Sequence, residues 1–503
     1  VDVQNGGKIG TITNSGLIQS IGAEHGINIK NNTTIEVINN TGTISGNNGI
    51  FITTDKRSGS TVIDNIINNG TIISNGARNS GIKIMYGAQI KTINNENLIL
   101  TSGSGVSVLG WNNNGKNNID TLNNSGTIKY IGSANIDIRD EEYGQGAGIF
   151  MANYNGLPKV GTINNSGLID TYNGIYLALG TQVGTINNSG TIIARKDGIV
   201  LGNNKDSNEN RQSIIESLNN TGTIQAGRYG IFVDVASNSN VPFQIGNIET
   251  KGVISGGQVG VYIGTKQQIN NYIKLDGSDA LIAGGTAGIH NKGTIGVNNN
   301  NGSLVNSNTG NVIDLQNGAT IAAISNDGKN LYTNSSGTAI LNEGTIKGNI
   351  SLDGGSKIIG AIDNKNIITG SIDLKNKSHI DSIINSGTIE KGINLNQSTI
   401  GSIANSGSIG NGGIKLNDST ITSIENTETG KTNLDLKNNS IVDLVINNGE
   451  MEITRDDSSL IKAFGNNGNV KSEFKNDGVM TAVNNSENAI MEQGLSNSGA
   501  IDA

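Results

Sequence analysis

Few residues of this chain are equipped for acid–base or nucleophilic chemistry, and those few lie far apart. The sequence has three histidines, His25, His290 and His379, and no cysteine. A zinc site needs several Cys or His ligands, and a nucleophilic hydroxyl needs a base within hydrogen-bond reach. His379 stands where the next two repeats have Thr399 and Thr420, so we expect it to face solvent. The sequence therefore predicts no metal ion and no other cofactor.

Carboxylates on neighbouring outward positions would indicate an enzyme acting on polysaccharides, because paired acids there shift each other's pKa and assist cleavage. The run Asp140–Glu142 lies in a long loop and is expected to be solvated. The outward positions that can be aligned in the later repeats contain no adjacent pair of acids: Ser351, Asp373, Asn394, Lys415 and Asp435. We predict that the chain is not an enzyme, and a polysaccharide lyase or hydrolase on the same scaffold is the alternative.

Aromatic residues are the clearest sign of a binding surface. Phe150, Tyr176, Phe232 and Tyr262 occupy one outward slot of successive or nearly successive repeats, with Val200 between them. A contiguous exposed apolar patch usually marks a binding site. We predict that this row contacts a partner. The alternative is a stacked ladder that only stiffens the molecule, covered by a loop.

Long loops in the first 330 residues carry further contact residues. Trp111, Tyr143 and Tyr154 lie in or beside such loops. Recognition often sits on loops that a rigid scaffold holds, and Tyr and Trp are favoured contact residues. These three residues are therefore added to the predicted binding surface.

The elements that position these side chains follow from a repeated heptad, Ile-Asn-Asn-Ser-Gly-Thr-Ile. It is intact at Ile186–Ile192, and further copies include Ile289–Ile295, Phe474–Met480 and Leu495–Ile501. Its glycine slot recurs at 366, 387, 407, 428 and 449, in steps of 21, 20, 21 and 21 residues. We expect the glycine to supply a positive φ at a corner, and the neighbouring Asn to form amide ladders.

A second motif, Gly-Ile-x-Ile, lies between the heptads, for example at Gly174–Leu177. A further apolar pair precedes each heptad, as at Ile400 and Ile403. Each repeat of 20–30 residues therefore holds three short strands, and one repeat alone cannot bury its Ile face. The pattern predicts an all-β fold, a right-handed parallel β-helix of about twenty rungs. We expect a single helix over 1–503, with long loops in 1–345 and short regular rungs in 346–503 forming a stalk-like part.

Composition narrows the function classes. The chain has 72 Gly, 2 Pro, 3% aromatic residues and a formal net charge of −8. An acidic chain lacks a positive surface that would attract nucleic acids or anionic membranes, so neither is an expected partner. No segment approaches the roughly 18 apolar residues that a membrane span needs.

The heptads, above all Ile186–Ile192, resemble the degenerate repeats of bacterial autotransporter passenger domains, secreted by the type V route. The resemblance covers essentially all of 1–503 and is specific for architecture rather than activity. It implies export through the periplasm and outer membrane to the bacterial cell surface, and a C-terminal β-barrel translocator that this sequence does not include. Protease members carry a catalytic serine on a separate N-terminal domain. Here the repeats begin by residue 12, and the nearest match, Gly103–Gly105, opens an ordinary rung.

These observations together predict an adhesin-like surface or secreted protein. Its expected partner is a host surface protein or glycan, or a second copy of itself on a neighbouring cell. The polysaccharide-cleaving enzyme is the first alternative, and a secreted toxin is a weaker one.

Overall fold

The fold was obtained as a computed structural model. It describes the chain except residues 5, 23, 55–60, 112–116, 134–135, 137–143, 155, 179, 203–211, 235–242, 266, 296–312, 317–319, 322–323, 328–329, 333–337, 411, 477–478, 481, 498–499 and 502–503. The chain divides into two compact units, Val1–Ile269 and Asn270–Ala503. In the described part, every element is a β-strand and no helix is long and apolar enough to cross a membrane.

Each repeat contributes one strand to each of three parallel sheets. The rung around the intact heptad shows the arrangement: Gln182–Asn188 lies in the first sheet, Thr191–Ala194 in the second and Asp197–Gly202 in the third. Each strand pairs in register with its equivalents one repeat before and one repeat after. The predicted parallel β-helix of three strands per rung is confirmed.

In the first unit the three sheets run through successive repeats. The first sheet consists of Lys8–Asn14, Thr34–Asn40, Val62–Asn68, Gln89–Asn95, Asn118–Asn124, Lys159–Asn165, Gln182–Asn188, Ile214–Asn220 and Gln244–Thr250. The second consists of Leu17–Gln19, Thr43–Gly46, Thr71–Ser74, Leu98–Thr101, Thr127–Tyr130, Leu168–Thr171, Thr191–Ala194, Thr223–Ala226 and Val253–Gly256. The third consists of Asp2–Val3, Ile27–Lys30, Ile50–Thr53, Ser80–Met85, Ser104–Trp111, Ala147–Tyr154, Asn173–Ala178, Asp197–Gly202, Tyr229–Val233 and Val259–Ile263.

The second unit repeats the pattern, and most of its second-sheet strands have only two residues. Its first sheet contains Gln268–Asp276, whose first two residues belong to the first unit, and Thr294–Ile295, Ile313–Gln316, Asn330–Tyr332, Thr338–Asn342, Lys357–Asn364, His379–Asn385, Thr399–Asn405, Thr420–Asn426, Ile441–Asn447, Leu460–Asn466 and Ala482–Asn485. Its second and third sheets contain Leu281–Gly284, Ala287–Asn291, Thr320–Ile321, Ile324–Asp327, Thr345–Ile346, Ile350–Asp353, Ile367–Ile368, Ile372–Lys375, Thr388–Ile389, Ile393–Asn396, Ser408–Ile409, Ile414–Asn417, Asn469–Val470 and Ile490–Met491. Lys431–Lys437 and Glu450–Arg455 each run through both positions.

Three predicted heptads lie elsewhere than expected. Ile289 of Ile289–Ile295 belongs to the third-sheet strand Ala287–Asn291, in register with Ile324. The copies Phe474–Met480 and Leu495–Ile501 pair with each other in two separate two-stranded sheets. All three stretches match the heptad in sequence. The sheet that each strand joins depends on the strand that precedes it in the rung.

The core of each unit is a set of isoleucine columns. In the intact heptad Ile186 and Ile192 are fully buried, and Ile199 and Leu201 of the following Gly-Ile-x-Ile motif are buried beside them. The equivalent positions of neighbouring rungs hold Ile, Val or Leu in register. Stacking therefore removes apolar surface from water that one rung alone would leave exposed.

The predicted asparagine ladders are confirmed. The third residue of each heptad points inward at the corner between the first and second sheets, and its Nδ2 donates to the Oδ1 of the next rung at 2.7–2.8 Å in the first unit. The column ends at Thr250, whose hydroxyl accepts from Asn220 at 3.0 Å. A second column runs in the other unit from Asn342 to Asn485.

The expected reason for the heptad glycine is wrong. Gly42, Gly167 and Gly222 do not have positive φ, but a Cβ on any of them would overlap the carbonyl oxygen of the glycine one rung earlier. The residue is glycine because neighbouring rungs approach too closely for a side chain. Positive φ occurs instead at the corner between the third and first sheets, for example at Asn31 and Asn376.

Candidate ligand-binding surface

The residues of the predicted aromatic row lie next to one another on successive rungs. Strand pairing places Phe150 beside Tyr176, Tyr176 beside Val200, Val200 beside Phe232, and Phe232 beside Tyr262. These residues alternate with Ile, Leu and Val that point into the helix, so the row lies on the outer face of the third sheet. Its position was predictable because the Gly-Ile-x-Ile motif fixes the register in every rung.

The first part of the row is covered rather than exposed. Phe150 is 1% exposed, Tyr176 7% and Val200 6%. They pack with Leu109, Ala152 and neighbouring small residues in a second hydrophobic cluster outside the helix. The backbone at Gly144 lies so close to the Phe150 ring that a Cβ there would overlap it. The whole row was expected to face a partner, but Phe150 and Tyr176 are buried: the Phe150 ring packs against the backbone at Gly144, and Tyr176 packs within the same cluster.

The later part of the row forms a partly exposed aromatic platform, which we define as Tyr229, Phe232 and Tyr262. The rings of Tyr229 and Phe232 are 5.0 Å apart between centroids and inclined by only 6°. Tyr229 and Tyr262 are 4.9 Å apart at 17°, and Phe232 and Tyr262 are 5.5 Å apart at 21°. Three nearly parallel rings from two adjacent rungs thus form one stacked cluster.

An ion pair is built into the edge of the platform. Arg228 donates to both carboxylate oxygens of Asp197, at 2.9 Å through Nε and 2.5 Å through Nη2. The Tyr229 amide donates to the same carboxylate at 3.1 Å. The Asp197 side chain is 2% exposed whereas that of Arg228 is 34% exposed. The carboxylate therefore lies at depth and holds a guanidinium whose outer part faces solvent, a geometry typical of bidentate charge-assisted pairing.

The guanidinium also lies over the rings. Arg228 Cζ is 4.6 Å from the Tyr229 centroid and 5.0 Å from that of Phe232, within cation–π range. On the opposite side the Asp234 carboxylate lies over Gly264, two residues beyond Phe232 and Tyr262 respectively. The platform is thus bordered by a basic group at one end and an acidic group at the other.

Of the other predicted contact residues, Tyr154 is the one whose side chain lies in the described part of the structure. Tyr154 is half-buried and packs against the covered cluster around Phe150. Trp111 ends the strand Ser104–Trp111, where its backbone pairs with Tyr154, but its side chain lies outside the described part of the structure. Tyr143 also lies outside the described residues. Binding by these residues stays a prediction.

Sequence reasoning missed Tyr229, Arg228 and Asp197. A signal was present, because the residue before each motif glycine occupies one register row: Asp197 pairs with Tyr229. Reading that column as well as the outward slot would have placed Asp197 beside Tyr229. The stacking of Tyr229 on Phe232 was not readable, because their rings meet only through side-chain torsion angles.

In the second unit, a histidine and an aspartate that could act in acid–base chemistry belong instead to hydrogen-bond networks between rungs. His379 lies in register with Thr399, as predicted, and its ring bonds the Thr399 hydroxyl at 2.7 Å and the Asp381 carboxylate at 2.9 Å. Asp373 accepts bonds from the amides of Asn349 and Asn394, at 2.9 and 2.8 Å. Both networks satisfy partly exposed polar groups between adjacent rungs.

A pair of carboxylates on neighbouring rungs was missed by the sequence reading because it lies near the first sheet. Lys365 Nζ is 3.1 Å from Glu343 and 3.9 Å from Asp363. Burial raises the pKa of Asp363, Lys365 opposes that shift and Glu343 adds to it. Over the described residues, no group of three or more His, Cys, Asp or Glu side chains is arranged to hold a metal ion.

Comparison of the chain with protein-family models, with curated proteins and with solved structures gives no match. The likeness of the heptads to autotransporter passengers therefore remains an expectation from the sequence. The functional argument depends on the geometry of the platform.

Proposed function

We propose that this chain is a glycan-binding, adhesin-like protein that acts at the bacterial surface. The observation that carries the proposal is the platform, in which Tyr229, Phe232 and Tyr262 present nearly parallel, partly exposed rings bordered by charged groups. A pyranose ring has one face of C–H groups that packs on an aromatic plane, and hydroxyls around its edge that need donors and acceptors. Aromatic rings with a few convergent polar groups are the usual composition of a small-ligand site.

Pre-organisation supports this role. The three rings are stacked on one another, and Asp197 holds Arg228 in place by two hydrogen bonds. Side chains already fixed by neighbours lose little conformational entropy when a ligand binds. The platform also lies on strands of a repeated scaffold rather than on a free loop, so its geometry is maintained without the ligand.

Self-association through the Asn- and Thr-rich face is the rival within the same class. On the outer face of the first sheet, Asn123, Asn164, Asn187 and Asn219 each donate to the asparagine one rung earlier, at 2.8–2.9 Å. Each of these amides already uses a donor along its own row. The face therefore offers a second copy fewer unused groups than the sequence suggests, which favours the platform as the binding surface.

A glycan array with the purified chain tests the proposal. We expect the wild type to bind defined oligosaccharides, and the double substitution Tyr229→Ser with Tyr262→Ser to weaken binding by about tenfold or more, since each aromatic contact contributes about 1 kcal/mol. Tyr272→Ser removes a partly exposed tyrosine from another strand and serves as the matched control.

Three results would contradict the proposal: no glycan bound, equal binding by wild type and double variant, or equal loss in the control. Sedimentation of the same samples detects the rival, because association that rises with concentration in the absence of any glycan binding would favour self-recognition. Measuring reducing ends after incubation covers the enzyme alternative, for which the Glu343, Lys365 and Asp363 cluster is the candidate site.

A further inference from the structure

A column of basic residues lies at the corner next to the platform, between the second and third sheets. The backbone amide of Lys196 donates to the carbonyl of Tyr172 at 2.8 Å, and the amide of Arg228 donates to the carbonyl of Lys196 at 2.7 Å. Lys196 and Arg228 therefore occupy the same position of adjacent rungs, and Arg195 directly precedes Lys196. Adjacent rungs are about 4.8 Å apart, so these basic residues follow one another along the same corner.

Each cation is held against an aromatic ring. Arg195 Cζ lies 5.6 Å from the Tyr130 centroid and Lys196 Nζ lies 6.0 Å from that of Tyr172. Together with Arg228 over Tyr229, three successive contacts of the same kind follow the corner. Cation–π contact orients the head groups without neutralising their charge.

At this corner the acidic side chain is buried and the basic side chains are at least partly exposed. Asp197, the carboxylate bound to Arg228, is buried beneath the surface, whereas Arg195 is exposed and Arg228 and Lys196 are partly exposed. This cationic corner stands out in a chain whose formal net charge is −8. General electrostatics would repel a polyanion from such a chain, so any preference for one must come from a local patch.

We infer that the ligand of the platform is an acidic glycan, in which one sugar ring packs on Tyr229, Phe232 and Tyr262 while carboxylates or sulfates along the same glycan contact Arg228, Lys196 and Arg195. This inference rests on the proposed function and names the substrate class of the same site. The spacing of the rungs is close to the length of one monosaccharide unit. A chain running along the stacked rungs therefore places successive residues beside the platform and the basic column. Guanidinium groups suit both anions because their donors match the oxygens of either.

Direct binding measurements with three oligosaccharide probes of equal length test the inference on the full chain. The probes are hyaluronan, which carries carboxylates, heparin, which carries sulfates, and a neutral cello-oligosaccharide. We expect at least one acidic probe to bind about tenfold or more tightly than the neutral probe at low salt, and this ratio to fall as salt screens the charges. Which of the two binds better identifies the anionic group.

Variants separate the patch from the rest of the surface. Arg195→Gln with Lys196→Gln should bring the ratio of acidic to neutral affinity close to one. Arg195→Lys with Lys196→Arg should retain the preference, and this result also shows that the corner still folds. Lys357→Gln removes an exposed lysine of the second unit and should leave the ratio as in the wild type.

The possible failures are distinguishable. Binding of neutral and acidic probes with equal affinity overturns the acidic-glycan inference and leaves the glycan-binding function standing. A preference that survives the double Gln substitution, or that the Lys357 control abolishes, overturns the assignment to this corner. If none of the probes binds and the array is also negative, the proposed function itself fails.

Discussion

Asparagine has two distinct roles in this chain, and the heptad carries both in adjacent positions. In Ile163–Ile169, Asn165 points inward and is 1% exposed, whereas Asn164 points outward and is partly exposed. Both belong to amide ladders with nearly the same bond lengths. The difference is access to water, which can replace a lost partner outside but not inside.

This difference gives a residue-scale prediction. Asn165→Ala removes the acceptor of Asn124 and the donor to Asn188, and leaves both partners without that bond at a buried corner. We expect the free energy of unfolding to fall by about 2–4 kcal/mol, from the cost of roughly 1–3 kcal/mol per unsatisfied buried group. Denaturant unfolding measures the loss.

Asn164→Ala is the control, because it breaks the corresponding outward bonds to Asn123 and Asn187. Water can reach that row, so we expect a loss below about 1 kcal/mol. Equal losses in the two variants would show that the ladder contributes through side-chain packing alone, and not through the satisfaction of buried amides.

At the scale of the element, the close approach of rungs decides which residue stands at the corner. The heptad glycines stack so tightly that a Cβ would meet backbone atoms of the preceding rung rather than a side chain that can rotate away. Asn97 and Asn366 occupy this slot in two rungs. Glycine is therefore favoured at the slot without being obligatory.

The stacking makes an element-scale prediction with a control inside the chain. Gly167→Ala places a methyl group against the carbonyl of Gly126, and we expect destabilisation of about 1–3 kcal/mol, as for overpacking of a filled interior. Gly16→Ala, at the same heptad position of the first repeat, meets nothing within 4 Å and should have little effect. Thermal unfolding of both variants measures the contrast, and a marked loss in the Gly16 variant would argue against rung contact as the cause.

For the whole molecule, the repeat predicts that 1–503 behaves as a single β-helix. Its two compact units, Val1–Ile269 and Asn270–Ala503, contain the same three-sheet arrangement. The platform, the basic column and the covered aromatic cluster all lie in the first unit. The stalk-like part expected for 346–503 stays a prediction.

Unfolding of the full chain tests the single-helix prediction. The only tryptophan, Trp111, belongs to the first unit, so its fluorescence reports on that unit, whereas far-ultraviolet circular dichroism reports strands of both. A single cooperative helix should give coincident denaturation curves by the two methods. Separate transitions would mean that the units unfold independently, as repeat proteins do when coupling between neighbouring repeats is weak.

The sequence by itself determined the parallel β-helix, the three strands of each rung, the inward isoleucine columns, the asparagine ladder and the outward row from Phe150 to Tyr262. It could do so because every rung repeats the same pattern, and parallel in-register stacking converts that pattern into columns. Only the tertiary structure decided which part of the row is accessible, since Phe150 and Tyr176 are buried in a cluster of side chains from several rungs, whereas Phe232, at the edge of that cluster, and Tyr262 are partly exposed. The structure likewise brought Tyr229, Arg228 and Asp197 together, because rings and charges on different rungs meet through side-chain packing that the periodicity of one strand does not encode.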